Sequence, residues 1–256
     1  MRWLGLGGVI SAVIRSGSRL SEVQFARLVA LLRRRGGDVL RGRPWRLSLE
    51  DRVLLVVRYW RTNLMLRQAA LLFGVSESAA GRILDQLRRL LAISPARRPG
   101  QDSVHIVDGT LAPTHGGSIA ASGKNYRYST NLQVVVDANS RLVVAAGLPP
   151  PGRGNDCRAF TKFGVDRFWR GAPAVAAGGY QGTGLLIPHR GRRGRLRLSP
   201  HREAENAIHR GARARVVHAL PRLKIWMILR DCRLKGNSVH QAMPGIARLR
   251  TLALTW

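Results

Sequence analysis

The stretch Ser103 to Pro113, SVHIVDGTLAP, constrains this chain more than any other. Val104, Ile106 and Val107 form a short apolar run that Gly109 and Pro113 are expected to stop, which predicts a buried strand with Asp108 at its carboxyl mouth. Open α/β sheets place their chemistry at that edge. A carboxylate there, in a strongly basic chain, suits a divalent metal and a phosphate substrate, because acid, cation and polyanion share one site without net repulsion. The plain alternative is an Asp that caps the turn through its own backbone.

The charge balance narrows the partner. The 256 residues carry 43 Lys and Arg against 14 Asp and Glu, a net charge of +29. Part of the arginine excess, alongside abundant Ala and Gly, reflects a GC-rich coding bias. What remains still favours nucleic acid over an anionic membrane surface. With 45% hydrophobic residues the chain can bury a real core. Cys157 and Cys232 are too few for a disulfide framework or a thiolate zinc site, which predicts a cytoplasmic protein. Residues 3–14 resemble a weak signal-peptide core but lead to no small-residue cleavage site, and no apolar run reaches the roughly 18 residues of a membrane span.

The first half reads as helices. Ser21 and Gln24 form a capping box ahead of Phe25, Leu28, Val29 and Leu32, and Ser48 caps a second helix through Val53, Val57 and Trp60. Thr62 and Asn63 end it. A third helix near Leu64 to Phe73, the turn Gly74-Val75-Ser76 and a Ser76-capped fourth helix through Ile83, Leu87 and Leu91 make the pattern of a helix-turn-helix. Its second member enters the major groove, so Ser78, Arg82 and Gln86 are candidates for DNA contact. Any three-helix bundle shares much of this pattern.

The aperiodic SPARRPGQD segment at 94–102 marks a linker, after which the chain becomes mixed. Asn131 to Val136 pairs with Leu142 to Ala146 as a hairpin, a helix is expected near Asp156 to Phe163, and Ala174 to Ala177 is a short buried strand. Glu203 to Leu229 is mostly helical, interrupted by Pro221.

VDGTLAPTH, KNYRYSTNLQVVVDA, GNDCRAF, AAGGYQGTGLLIPHR and RLKIWMILRDCRLKG, in that order, resemble bacterial insertion-sequence transposases of the DDE superfamily, nearest to the insertion sequence five type. The resemblance covers roughly residues 45–256. It implies an α/β fold: a small all-α helix-turn-helix domain at 45–95, preceded by a helical extension at 1–44, then a linker at 96–103 and an RNase H-like mixed-sheet endonuclease domain at 104–256. It also implies Mg²⁺ or another divalent metal, and phosphoryl transfer in which two ions stabilise the attacking and leaving oxygens. The partner implied is double-stranded DNA, namely the inverted-repeat ends of the parent element. A homo-oligomer and nucleoid association when bound to DNA go with that picture.

Carried over by position, the first acid of the family motif falls on Asp108. The second belongs just before Gly178-Gly179-Tyr180, where Ala177 stands, and the third belongs on the long helix, where Val217 precedes His218. The catalytic triad reads as degenerate, with Asp156 as the nearest substitute ligand. Two readings follow from different classes: a DNA-binding protein with impaired strand cleavage, and a still-active endonuclease using Asp108, Asp156 and a third ligand. A general RNA-binding or structural protein would account for the charge but not for the ordered motifs.

Overall fold

The computed structural model describes residues 17–39, 44–92, 103–115, 121–122, 128–147, 156–162, 173–191, 197–215, 219–234 and 239–255. Val217, His218 and the linker segment 94–102 lie outside the described residues. The chain divides into two compact units: Met1–Ser94 with Ile225–Arg233 and Gln241–Trp256, and Pro95–Lys224 with Leu234–His240.

The helical unit begins with α1 (Glu22–Arg34), whose capping box forms as its sequence predicts: Gln24 N donates to Ser21 Oγ and Ser21 N to Gln24 Oε1. α2 (Leu49–Thr62) is capped by Ser48 and ends where Asn63 takes a left-handed conformation, φ 52°, which asparagine tolerates better than most side chains. α3 (Leu66–Leu72) closes in a Schellman motif. Gly74 N–H donates to Leu71 O and Val75 N–H to Ala70 O, and Gly74 adopts the φ of +65° this stop requires. Ser76 Oγ then accepts from Ala79 N at the start of α4 (Glu77–Ala92), which buries Ile83, Leu84, Leu87 and Leu91.

Ile225–Arg233 and Gln241–Trp256 group with this same unit. Trp226, Ile228 and Leu229 are buried there. Asn63 Nδ2 donates to Asp231 O, and Arg61 lies 5.6 Å from the Trp226 ring centroid. The C-terminal helix α8 (Val239–Thr255) buries Met243, Ile246 and Leu249, and Gln24 Nε2 donates to Leu252 O at 3.2 Å.

The second unit is a mixed five-stranded sheet of β1 (His105–Pro113), β2 (Ala121–Ser122), β3 (Tyr128–Asp137), β4 (Val143–Ala146) and β5 (Ala174–Ala176), with α5 (Asp156–Lys162), α6 (Pro200–Ala214) and α7 (Ala219–Lys224). β1 is central. It pairs antiparallel with β3 from His105↔Asp137 to Pro113↔Ser129, and parallel with β5 from His105↔Ala174 to Val107↔Ala176. β2 and β4 both pair with β3, so the expected hairpin forms, with Asp137 Oδ1 accepting from the backbone of Asn139 and Ser140 across its turn. An α/β fold with helices and a mixed sheet is therefore what the chain adopts.

Two expectations are corrected. β1 does not stop at Gly109 but runs to Pro113. β5 ends opposite Val107, so the later half of β1 has a partner on its β3 side, and proline is tolerated where the other side is unpaired. Asp108 therefore lies within a strand, immediately past the end of its parallel neighbour. Pro221 does not interrupt a long helix either. It is the third residue of the separate helix α7, where the missing N–H is one of the first-turn groups that has no partner within a helix.

Candidate functional site

Of the three DNA-contact candidates, α4 presents Ser78 and Arg82 to solvent near its start. Ser78 Oγ lies 3.1 Å from Ser76 Oγ, and the Arg82 guanidinium carbon is 5.8 Å from the Trp45 ring centroid. Gln86 is placed differently. Its Nε2 donates to Gly37 O at 3.3 Å and its Oε1 accepts from Arg52 Nη1 at 3.3 Å, so both ends of the amide are used within the helical unit.

At the sheet edge, Asp108 and Asp156 come together. Asp156, the expected substitute ligand, lies here, and its Oδ1 accepts from Asn131 Nδ2 at 2.7 Å and Gln133 Nε2 at 3.2 Å, both on β3. Gly109 makes this approach possible. A Cβ there would stand 2.5 Å from Gln133 Nε2, closer than real Cβ atoms come, and 3.2 Å from Asp156 Oδ1, a tight contact. Asp108 Oδ1 accepts from its neighbour Gly109 N at 3.0 Å, so it does bind its own turn as well. Burial pushes its carboxyl above the usual range. The Arg213 guanidinium and the Gly109 N–H work against that shift, and the Asp156 charge adds to it.

Arg213 is the residue that sequence reasoning missed. Its Nη2 lies 3.8 Å from Asp108 Oδ1. Further along the same helix, His209 Nε2 sits 3.0 Å from Ala176 O at the end of β5, and Asn206 Oδ1 accepts from His189 N at 2.8 Å. Asn206, His209 and Arg213 stand at i, i+3 and i+7, one polar stripe on α6 facing the sheet. That spacing was the available signal. His189 pairs with Glu205 at 2.7 Å.

Beneath the carboxylates lies a buried core of Val107, Val135, Phe160, Ala176 and Tyr180. Tyr180 is fully buried, stands edge-on to Phe160 with centroids 6.1 Å apart, and donates its hydroxyl to Gln133 Oε1. Desolvation together with the nearby carboxylates drives its phenol far above the ordinary value, so it stays a donor. Tyr180→Phe is expected to leave Gln133 Oε1 unpaired and to cost about 1–3 kcal/mol, read as a lower urea midpoint at unchanged slope. An unchanged midpoint would show that the Tyr180 to Asp156 chain contributes nothing.

The donor set among the described residues does not by itself hold a pair of divalent ions. Among the described residues two carboxylates converge, one of them facing a guanidinium, and no group of three His, Cys, Asp or Glu side chains could hold a metal ion. Ala177 follows the last residue of β5, next to the Val107↔Ala176 pair, and packs against the apolar core.

Two family models match the chain: a helix-turn-helix of DDE superfamily endonuclease over residues 45–96 and a transposase DDE domain over residues 99–252. A Streptomyces albus G protein named as a transposase for insertion sequence element IS112 is 54% identical over 255 residues, covering 98% of this chain and all of that protein. One from Microchaete diplosiphon, named as a transposase for insertion sequence element IS702, is 28% identical over 207 residues, 73% of this chain and 74% of its own length. No solved structure matches. No helix of the described residues is long and apolar enough to cross a membrane.

Proposed function

The chain belongs to the DDE superfamily of insertion-sequence transposases, and on that premise we propose that it binds the inverted-repeat ends of its parent element through α4, with its own strand-cleaving chemistry impaired. The observation that carries the binding half is the exposed start of α4, with Ser78 and Arg82, in a helix-turn-helix of a chain with net charge +29. Base-edge contacts there select sequence. Arginines spread over the rest contact phosphates without selecting.

DDE transposase domains are in general dependent on divalent metal, and Mg²⁺ is the ion we expect for the intact family site. Impairment is supported by Ala177 at the sheet edge and by Arg213 beside Asp108. Asp108 and Asp156 are the residues a metal would meet first. Holding both ends of one element calls for two reader helices, which a homo-oligomer would supply, on the nucleoid in the cytoplasm.

The test is a binding titration of the full chain against a duplex it selects from a random pool and against random-sequence duplex. Affinity should fall with salt at a slope of about −0.9 per phosphate neutralised. Arg82→Ala should lower discrimination between the two duplexes about tenfold, within the range of one lost base contact. Arg210→Ala, exposed on α6, should weaken both alike. Equal effects of the two changes on discrimination would refute α4 as the reader.

A further inference from the structure

Arg52 is 1% exposed, yet it carries a full charge into the core of the helical unit. Its guanidinium is almost completely used: Nε donates to Ser48 O at 3.3 Å, Nη1 to Gly37 O at 3.0 Å and to Gln86 Oε1 at 3.3 Å, and Nη2 pairs with Asp38. Such a network is costly to bury and rigid once satisfied. One side chain lies against it. The Trp45 ring centroid is 5.2 Å from the Arg52 guanidinium carbon and 5.8 Å from that of Arg82, the exposed arginine at the start of α4.

We propose that Trp45 is a positioning residue for DNA recognition: its indole, fixed by the buried Arg52 network, holds the Arg82 guanidinium in place before DNA arrives. The inference rests on Arg82 reading DNA. A free arginine loses much side-chain entropy when it is fixed to a base edge, and a side chain held beforehand loses less. The indole face attracts a guanidinium without competing for its N–H groups, which stay available to a base. Because Asp38 neutralises Arg52, the ring can accept a second cation near the first. Gln86, one turn after Arg82, ties α4 to Gly37 and Arg52, so helix, ring and arginine share one rigid frame. The amide expected to read DNA thus serves the residue that does.

The experiment uses the full chain, the selected duplex and random-sequence duplex. Trp45→Leu keeps apolar bulk and removes the aromatic face, while Trp45→Phe keeps a weaker one. Trp45→Leu is expected to cut the ratio of selected to random affinity about fivefold, the size of an exposed cation–π contact, with random-duplex affinity and salt slope unchanged. Trp45→Phe should lose about half as much or less, and in an Arg82→Ala chain neither change should lower the ratio further. An unchanged ratio in Trp45→Leu, or an equal loss with and without Arg82, overturns the proposal while leaving α4 as the reader. If Arg82→Ala itself leaves the ratio intact, the recognition reading fails and takes the proposal with it. A measurement on the unmodified chain guards against a variant that does not fold. The Arg82 Nε–H should relax in NMR nearly as slowly as the α4 backbone, and free motion of that group would overturn the proposal.

Discussion

With Ala177→Asp and Val217→Glu introduced together, the chain is expected to nick its selected duplex in the presence of Mg²⁺, at a rate about a hundredfold or more above the unmodified chain. Each single change should recover little, because acids that act as one unit in holding two ions contribute non-additively. β5 ends at Ala176 opposite Val107, so a carboxylate at 177 would emerge at the sheet edge beside Asp108. Pro221 is the third residue of α7. Arg213, 3.8 Å from Asp108, competes for that carboxylate, so adding Arg213→Gln to the restored chain should lower the Mg²⁺ concentration required. Asp108→Ala should abolish the recovered activity. If the unmodified chain nicks as fast as the restored one and is equally sensitive to Asp108→Ala, the impaired-site reading is wrong. Asp156, already hydrogen-bonded to Asn131 and Gln133 at the same edge, would then complete a working site.

How much of this was legible in the sequence depends on whether local chemistry or a distant partner decides the matter. The caps at Ser21, Ser48 and Ser76 and the hairpin turn at Asp137 were readable because each is settled within a few residues. The extent of β1 was not. Gly109 is a stop signal only until β3 supplies a partner for the stretch up to Pro113, and that partner begins fifteen residues beyond Pro113, at Tyr128. Asp156 was half legible: the motif placed it near Asp108, but the partners that hold its carboxylate, Asn131 and Gln133, are remote in sequence. Arg213 was hidden because α6 inverts the usual pattern: its apolar side, with Ile208, is exposed, while the stripe of Asn206, His209 and Arg213 that faces the sheet is polar. Gln86 failed as a DNA reader for the opposite reason. Its position on α4 is half-exposed by helical spacing, and only Gly37 and Arg52, 49 and 34 residues away, claim its amide.

The second large effect concerns the C-terminal helix. A chain ending before Val239 is expected to lose its cooperative thermal transition in the helical unit and, with it, discrimination between selected and random duplex. Met243, Ile246, Leu249 and Leu252 of α8 are buried in that unit. At about 1.5–3 kcal/mol for each such side chain, their removal costs on the order of 10 kcal/mol, as much as the whole stability of a typical domain. Gln24 also loses its Leu252 acceptor, which leaves a buried amide donor without its partner there. The helix-turn-helix segment 45–96 is contiguous in sequence, but its support is drawn from the far end of the chain. Ile246→Asp in the full chain checks the same point without truncation, since an unpaired carboxylate at a fully buried position should unfold the unit as the deletion does. If a fragment of residues 1–96 instead melts cooperatively and discriminates between the duplexes as well as the full chain, α8 is dispensable, and the reader helix is held by α1, α2 and α3 alone.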